Sequence, residues 1–266
     1  MSEQDHRLEH LQAEFDFAAS FADSARQTAL SYFRGPNGLS WKSDETPVTL
    51  ADTEIERAFR DLVQMRFPKD GIYGEETGVS GLECERVWVV DPIDGTGAFA
   101  TGSPLFGILL ALVVSERAAF GVIDACATGE RWTAQRGMGA KLNNVTCATS
   151  NKTSLATASL ASTSIHLLRA RERRVFDCLS SEAAITRLGG DCYAYGLLAS
   201  GHLDLIVETG LKPFDFMAVT VIIEEAGGVI SDWEGQPLTL NSAGDVLAAA
   251  SAELHAQALR IIHDTE

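Results

Sequence analysis

The 266-residue chain is 45% hydrophobic and 22% charged, a globular composition in which no apolar run approaches the ~20 residues needed to cross a bilayer. Its formal net charge of -16 repels nucleic acid, and no Lys/Arg stripe with interleaved aromatics offsets it, so neither a nucleic-acid nor a membrane partner is expected. The acidity fits a site that uses metal ions, since bound cations reverse the local electrostatics, and it fits equally a merely solvated surface.

Met1 to His6 is polar and acidic, with neither the basic flank nor the apolar stretch of a signal peptide, and a cytoplasmic location is expected. Leu8, Leu11, Phe15, Ala18, Ala22, Ala25, Ala29 and Phe33 recur at steps of three and four, predicting a long helix that Gly35-Pro36 ends. A second helix is predicted from about Asp52 to Phe67, with Ile55, Phe59, Leu62 and Val63 on one side. Strands are predicted at 86–90, 105–114, 118–126 and 130–134. The second half alternates: helix at 191–200, strand at 203–207, helix at 214–226, a Gly227-Gly228 break, strands at 229–230 and 246–250, and a closing helix at 253–262.

That alternation suggests layered α/β packing. Without repeats or a clear linker, residues 1–266 read as a single domain, with possible subdomains at 1–150 for metal and 151–266 for substrate, weakly marked by a Ser/Thr-rich stretch at 146–164. The five cysteines are odd in number and never spaced CxxC, so they read as buried free thiols.

The sharpest feature is Asp91-Pro92-Ile93-Asp94-Gly95-Thr96, at the C-terminal end of an apolar strand. Two carboxylates with a proline between them can converge on hard cations, and the Ile93 carbonyl offers a further oxygen. A helix starting beyond Gly95 would turn free amides toward a phosphate. The same residues also suit an Asp-Pro turn with a glycine cap. Glu75 and Glu76 follow an Asp70-Gly71 turn; on an extended segment they would point to opposite sides, leaving at most one to touch a metal. Asp215 either joins them or only opens a helix. Together the three acidic sites supply the oxygen ligands that magnesium prefers, and a hydroxyl such as Thr96 could orient an attacking water.

These motifs resemble the inositol monophosphatase family, through Gly74-Glu75-Glu76, the 91–96 segment, and Asp215 with Glu225-Ala226-Gly227-Gly228; Lys42 and residues 47–52 extend the likeness over nearly the whole chain. The resemblance implies an α/β (α+β) fold, a layered αβαβα sandwich of the inositol monophosphatase and fructose-1,6-bisphosphatase type, and a homodimer hydrolysing a small phosphate ester with two or three Mg2+ per site. It implies that Glu75, Asp91, Ile93, Asp94 and Asp215 hold metal, that Glu75 and Thr96 activate water with Asp52 in support, and that Gly95 and Thr96 hold phosphate. Many members carry Lys, Arg or Thr where this chain has Gly97, implying a looser phosphate pocket.

Within the family the chain is similar to the bacterial histidinol-phosphate phosphatase branch at 102–107, 128–132 and 190–204. Asp191 and Glu208 fall where substrate contacts are expected, with Arg187 nearby; helix capping and a surface position are their other readings. Inositol-1-phosphate and 3'-phosphoadenosine-5'-phosphate phosphatases are the alternatives, and a non-catalytic binder of phosphate esters is a further one.

Overall fold

A computed structural model describes residues 11–42, 47–166 and 168–265. The N-terminal periodic segment forms helix α1 (Gln12–Tyr32), which buries Phe17, Ala18, Phe21, Ala22, Ala25 and Ala29. Leu8, expected on the same face, lies outside the described residues. A short strand pair, β1 (Ser40–Trp41) with β2 (Pro47–Val48), leads into α2 (Leu50–Arg66). Ile55, Phe59 and Val63 pack inward, whereas Leu62 stands at the margin of the buried arc and is 40% exposed.

An eight-stranded sheet follows. Its strands are β3 (Gly71–Gly74), β4 (Val79–Ser80), β5 (Arg86–Asp94), β6 (Gly107–Val114), β7 (Arg117–Ala125), β8 (Glu130–Gln135), β9 (Ala140–Leu142) and β10 (Val145–Thr146), in the order β10-β9-β8-β7-β6-β5-β3-β4. Helix α3 (Thr96–Ala100) sits between β5 and β6. A second sheet, ordered β12-β11-β13-β15-β14, contains β11 (Ser159–Ser162), β12 (Ile185–Leu188), β13 (Leu205–Glu208), β14 (Val229–Ser231) and β15 (Val246–Ala249). Helices α4 (Ala170–Glu182), α5 (Asp191–Ala199), α6 (Pro213–Glu225) and α7 (Ala252–Asp264) complete the chain.

The period-2 alternation of the strands sorts the core into layers. Trp88, Val90, Leu110 and Leu112 face α1 and α2. Val87, Val89, Leu109 and Ala111 face the opposite way, onto α5 and α6, which meet Ala161, Ile206, Val246 and Ala248 of the second sheet on their far side. The outer face of that sheet, with Leu160, Leu205 and Leu247, packs on Val175 and Leu179 of α4 and Leu254 and Ala258 of α7. The result is the αβαβα sandwich that the resemblance implied. A helix held between two sheets must be apolar on nearly every side, and α6 buries Phe216 through Ile223 without a break. It approaches β7 so closely that a Cβ on Gly121 would lie 2.3 Å from the Ala218 carbonyl oxygen.

β3, β11, β12, the charge-rich α4 and the two- and three-residue strands β1, β2, β4, β9 and β10 are not predicted from the sequence. Of the five cysteines, Cys126 and Cys192 are buried as expected, Cys84 and Cys147 are half-buried, and Cys178 is exposed on the polar side of α4, where only Val175, Phe176 and Leu179 turn inward. Among the described residues no helix is long and apolar enough to cross a membrane.

Candidate metal centre

In a regular strand, residues three apart face opposite ways, so Asp91 and Asp94 could not share a site if β5 ran straight. It does not: the register with β6 shifts between Asp91, opposite Leu109, and Asp94, opposite Gly107. Pro92 supplies no ladder N–H, and a bulge at this point re-aims the chain. One carboxylate oxygen from each of Asp91, Asp94 and Asp215 then lies within 4.8 Å of the others. The Ile93 amide donates back to Asp91 Oδ1 at 3.0 Å, and the Ile93 carbonyl accepts from Thr96 Oγ1 at 3.0 Å. Gly95 adopts φ +83°, and a Cβ there would lie 3.2 Å from Asp191 Oδ2. Both the left-handed backbone and the close approach demand glycine.

Asp215 fills both of the roles open to it. Its Oδ2 accepts from the Lys212 amide at 2.6 Å, capping α6, and the carboxylate also joins the cluster. Asp94 Oδ2 accepts from the Cys192 amide at 2.5 Å, which ties the first turn of α5 to the 91–96 segment.

A second triad, Asp52, Glu75 and Glu76, likewise brings one oxygen from each within 4.8 Å. Here the expectation that adjacent glutamates diverge fails. The chain bends at 75–77 instead of running extended, and Lys42 Nζ lies 2.8 Å from a carboxylate oxygen of each. The bend is held by Glu56, a fully buried carboxylate that accepts from the Glu76 amide at 2.6 Å, the Thr77 amide at 3.0 Å and Thr77 Oγ1 at 2.5 Å. Asp52 Oδ2 accepts from the Thr49 amide at 2.8 Å and from its hydroxyl, while Oδ1 lies 3.5 Å from Thr96 Oγ1.

Burial and crowding raise the carboxyls of both triads. Asp94 and Asp215 are pushed up to about 7, chiefly by burial and then by neighbouring carboxylates, and Asp91 is raised well above its ordinary value for the same reasons. Burial also takes Glu76 to about 7 and Asp52 to about 6. Among the described residues no Lys or Arg pairs with Asp91, Asp94 or Asp215. A partly buried, all-oxygen donor set with excess negative charge is chemically suited to hard divalent cations. Asp91, Asp94 and Asp215, with the Ile93 carbonyl between them in the chain, therefore suit the metal-holding role that the resemblance gave them, whereas Glu75 stands in the second triad with Lys42 Nζ 2.8 Å away.

A cavity of about 150 Å³ opens beside Asp94 and Asp215, lined also by Asp191, Glu208, Tyr195 and Thr163. Glu208 is not a surface acid: it is 6% exposed, and its two oxygens accept from the Thr163 amide and the Tyr195 hydroxyl, each at 2.8 Å. Asp191 sits at φ +44° and its side chain makes no hydrogen bond among the described residues, so it is not acting as a helix cap; burial and the nearby Asp94 and Glu208 push it to about 8. Arg187 differs: it is exposed on the edge strand β12 and is not part of the cavity lining. Space beside Gly97 is open, since a Cβ there would meet nothing within 4 Å. Glu56, Thr163 and Tyr195 were not identified from sequence, because each works through contacts with segments remote in the chain.

The model of the inositol monophosphatase family matches residues 10–266, and the chain belongs to that family. It is 38% identical over 249 residues to the bifunctional phosphatase IMPL2 of Arabidopsis thaliana, covering 90% of this chain and 72% of that protein. To a histidinol-phosphatase of Chlorobaculum parvum it is 35% identical over 237 residues, covering 88% and 92%. Among solved structures, an inositol monophosphatase from Zymomonas mobilis matches with a TM-score of 0.87 and 39% identity over 96% of this chain and 99% of that one. The chain is thus a phosphatase of a metal-dependent family acting on small phosphate esters.

Glu56 can be tested apart from the two acidic triads, because it holds backbone amides and belongs to neither. Glu56→Gln removes the charge that gathers the Glu76 and Thr77 amides without touching the cation-facing oxygens. The half-saturating magnesium concentration is expected to rise about 10- to 100-fold, with turnover at saturating magnesium changing little. Phosphate release across a magnesium titration measures both.

Proposed function

We propose that this chain is a magnesium-dependent phosphomonoesterase that hydrolyses L-histidinol phosphate to L-histidinol and phosphate in histidine biosynthesis. The observation that carries the substrate is the pair of carboxylates, half-buried Asp191 and buried Glu208, facing the cavity beside Asp94 and Asp215. A buried acid without a basic partner favours a ligand that brings positive charge. Histidinol phosphate carries an ammonium and an imidazole, both able to donate charge-assisted hydrogen bonds to carboxylates. The likeness to the Chlorobaculum parvum enzyme supports this reading.

Magnesium held by Glu75, Asp91, the Ile93 carbonyl, Asp94 and Asp215 would neutralise the phosphate and lower the pKa of the attacking water. The chain's own groups do the rest. Thr96 Oγ1, fixed by the Ile93 carbonyl, orients the water, and its second neighbour Asp52 Oδ1 can take up a proton near neutral pH because burial raises that carboxyl to about 6. The backbone of Gly95 and Thr96, opening α3, lies where amides without helical acceptors can hold phosphate oxygens. Water adds to phosphorus and gives up a proton toward Asp52, the P–O bond to the alcohol breaks, and the departing oxygen takes a proton from solvent, so that the alcohol leaves neutral.

Inositol-1-phosphate is the competing substrate, favoured by the likeness to the Zymomonas mobilis structure. The deciding experiment is a panel of L-histidinol phosphate, inositol-1-phosphate, 3'-phosphoadenosine-5'-phosphate and fructose bisphosphate with magnesium. Histidinol phosphate is expected to exceed the others in kcat/KM by about tenfold or more, the worth of one charge-assisted contact. If it proves the poorest of the four, the substrate assignment fails.

A further inference from the structure

Away from the metal centre, a groove of about 360 Å³ runs between α1 and the β8–β9 hairpin. Beneath it an ion cluster gathers around buried Asp124. Asp124, with a fully buried side chain, receives Arg26 Nε at 2.7 Å on one oxygen and Arg131 Nε at 2.5 Å on the other. The Arg131 fork is fully used, because it also reaches Asp23 at 2.7 Å and the Ala19 carbonyl at 3.3 Å. Arg26 is not. It bonds Asp124 through Nε alone, and its two amino ends have no partner among the described residues although only 26% of its side chain is exposed.

Side-chain alternation places Arg131, Thr133 and the cross-strand partner of Thr133, Lys141, on the same face of the hairpin. Lys141 is exposed and makes no ion pair among the described residues. Among the described residues that line the groove or pair with its arginines, Arg26, Arg131 and Lys141 stand against Asp23 and Asp124, a local positive excess on a chain whose net charge is -16. A half-buried guanidinium with a free fork is suited to planar or tetrahedral oxyanions, which it meets with two parallel hydrogen bonds. Phe15 gives the groove an apolar wall.

We propose that this groove is a second ligand site that takes a small oxyanion, the phosphate or carboxylate group of a metabolite, on Arg26 and Lys141. The site is independent of which ester the metal centre hydrolyses. If the arginines served only to fasten α1 to the sheet, Asp124 would suffice as their partner and no anion would bind.

Calorimetric titration of the chelator-treated full chain at low salt tests this, because without cations the carboxylates of the metal centre repel anions and leave the groove as the acceptor. Inorganic phosphate and citrate are the probes. One equivalent of at least one of them is expected to bind with Kd below about 1 mM. Binding of phosphate alone identifies a phosphorylated ligand, of citrate alone a carboxylate, and of both the shared oxyanion chemistry. Arg26→Gln is expected to weaken binding by about tenfold or more, the worth of a charged hydrogen bond. Because that change disturbs buried Asp124, Lys141→Gln is the companion variant: it lies on the surface, should leave folding and magnesium-supported phosphatase activity unchanged, and should weaken binding about threefold. No binding of either anion, or equal binding in both variants, overturns the proposal.

Discussion

Asp94→Asn is expected to lower phosphate release by more than about a hundredfold at saturating magnesium while leaving the chain folded. The magnitude follows from a comparison: losing a partner that merely orients a metal ligand costs about 10- to 100-fold, so losing a facing oxygen and its charge should exceed that. Asparagine is nearly isosteric, and its carbonyl oxygen can still accept the Cys192 amide that Asp94 Oδ2 receives at 2.5 Å, so the tie between α5 and the 91–96 segment survives. What changes is the other side of the group, where an amide N–H2 replaces an acceptor facing Asp91 and Asp215. A second consequence separates this account from simple damage. Removing one of several mutually repelling buried acids relieves the metal-free protein, so its Tm without magnesium should rise as activity disappears, the trade expected where a site is kept unstable for function. Unchanged turnover would sink the metal mechanism, and a lower metal-free Tm would sink the electrostatic reading of the cluster.

Elements whose burial pattern is local were legible in the sequence. The three-and-four spacing from Leu11 to Ala29 could belong only to a helix with one buried face, and the apolar stretch at 214–226, broken by Thr220 alone between Phe216 and Ile223, reads as a helix before its enclosure between two sheets is seen. Helix α4 was missed because only Val175, Phe176 and Leu179 turn inward and the rest is charged, and β11 because Ser159-Leu160-Ala161-Ser162 is short and owes its burial to layers contributed from elsewhere. The same distinction runs through the site. Asp91 and Asp94 stood out because proline and glycine bracket them, whereas the agent that makes them converge, a register shift against β6, is a property of the strand pair. Glu75 and Glu76 were read as diverging since nothing local reveals that Glu56, twenty positions earlier, gathers the amides of 76 and 77 and bends the chain. Glu208 likewise reads as a strand-end acid until Tyr195 and Thr163 are seen to hold it inside.

The crowding of these acids makes the metal-free protein sensitive to pH in a direction opposite to ordinary acid denaturation. In the folded chain Asp94, Asp215 and Glu76 titrate near 7, Asp52 near 6 and Asp191 near 8, all above their unfolded values of about 4. Raised folded values mean that the native state binds more protons than the unfolded state across this window. Stability is therefore fully present below about pH 4 from these groups and is lost as pH rises through 6 to 8. Asp204 and His255 act in the other sense, both being lowered. For Asp204, hydrogen bonds from Ser150 and Ser159 outweigh burial; for His255, burial alone is responsible. Their contributions change below the unfolded values of about 4 and 6.5, outside the upper part of the window. Between pH 6 and 8 Asp94 and Asp215 give up the protons that the folded chain favours, so the chelator-treated protein should lose about 5 °C or more in Tm. Magnesium should abolish most of that slope, since a divalent cation replaces the protons and binds only the folded arrangement, and its stabilisation should be larger at pH 8 than at pH 6. Thermal unfolding followed at the two pH values, with chelator and with magnesium, measures all four quantities. A Tm that stays level from pH 6 to 8 in chelator would show that these carboxyls are not crowded in the folded chain, and equal magnesium stabilisation at both values would show that protons and cations do not compete for them.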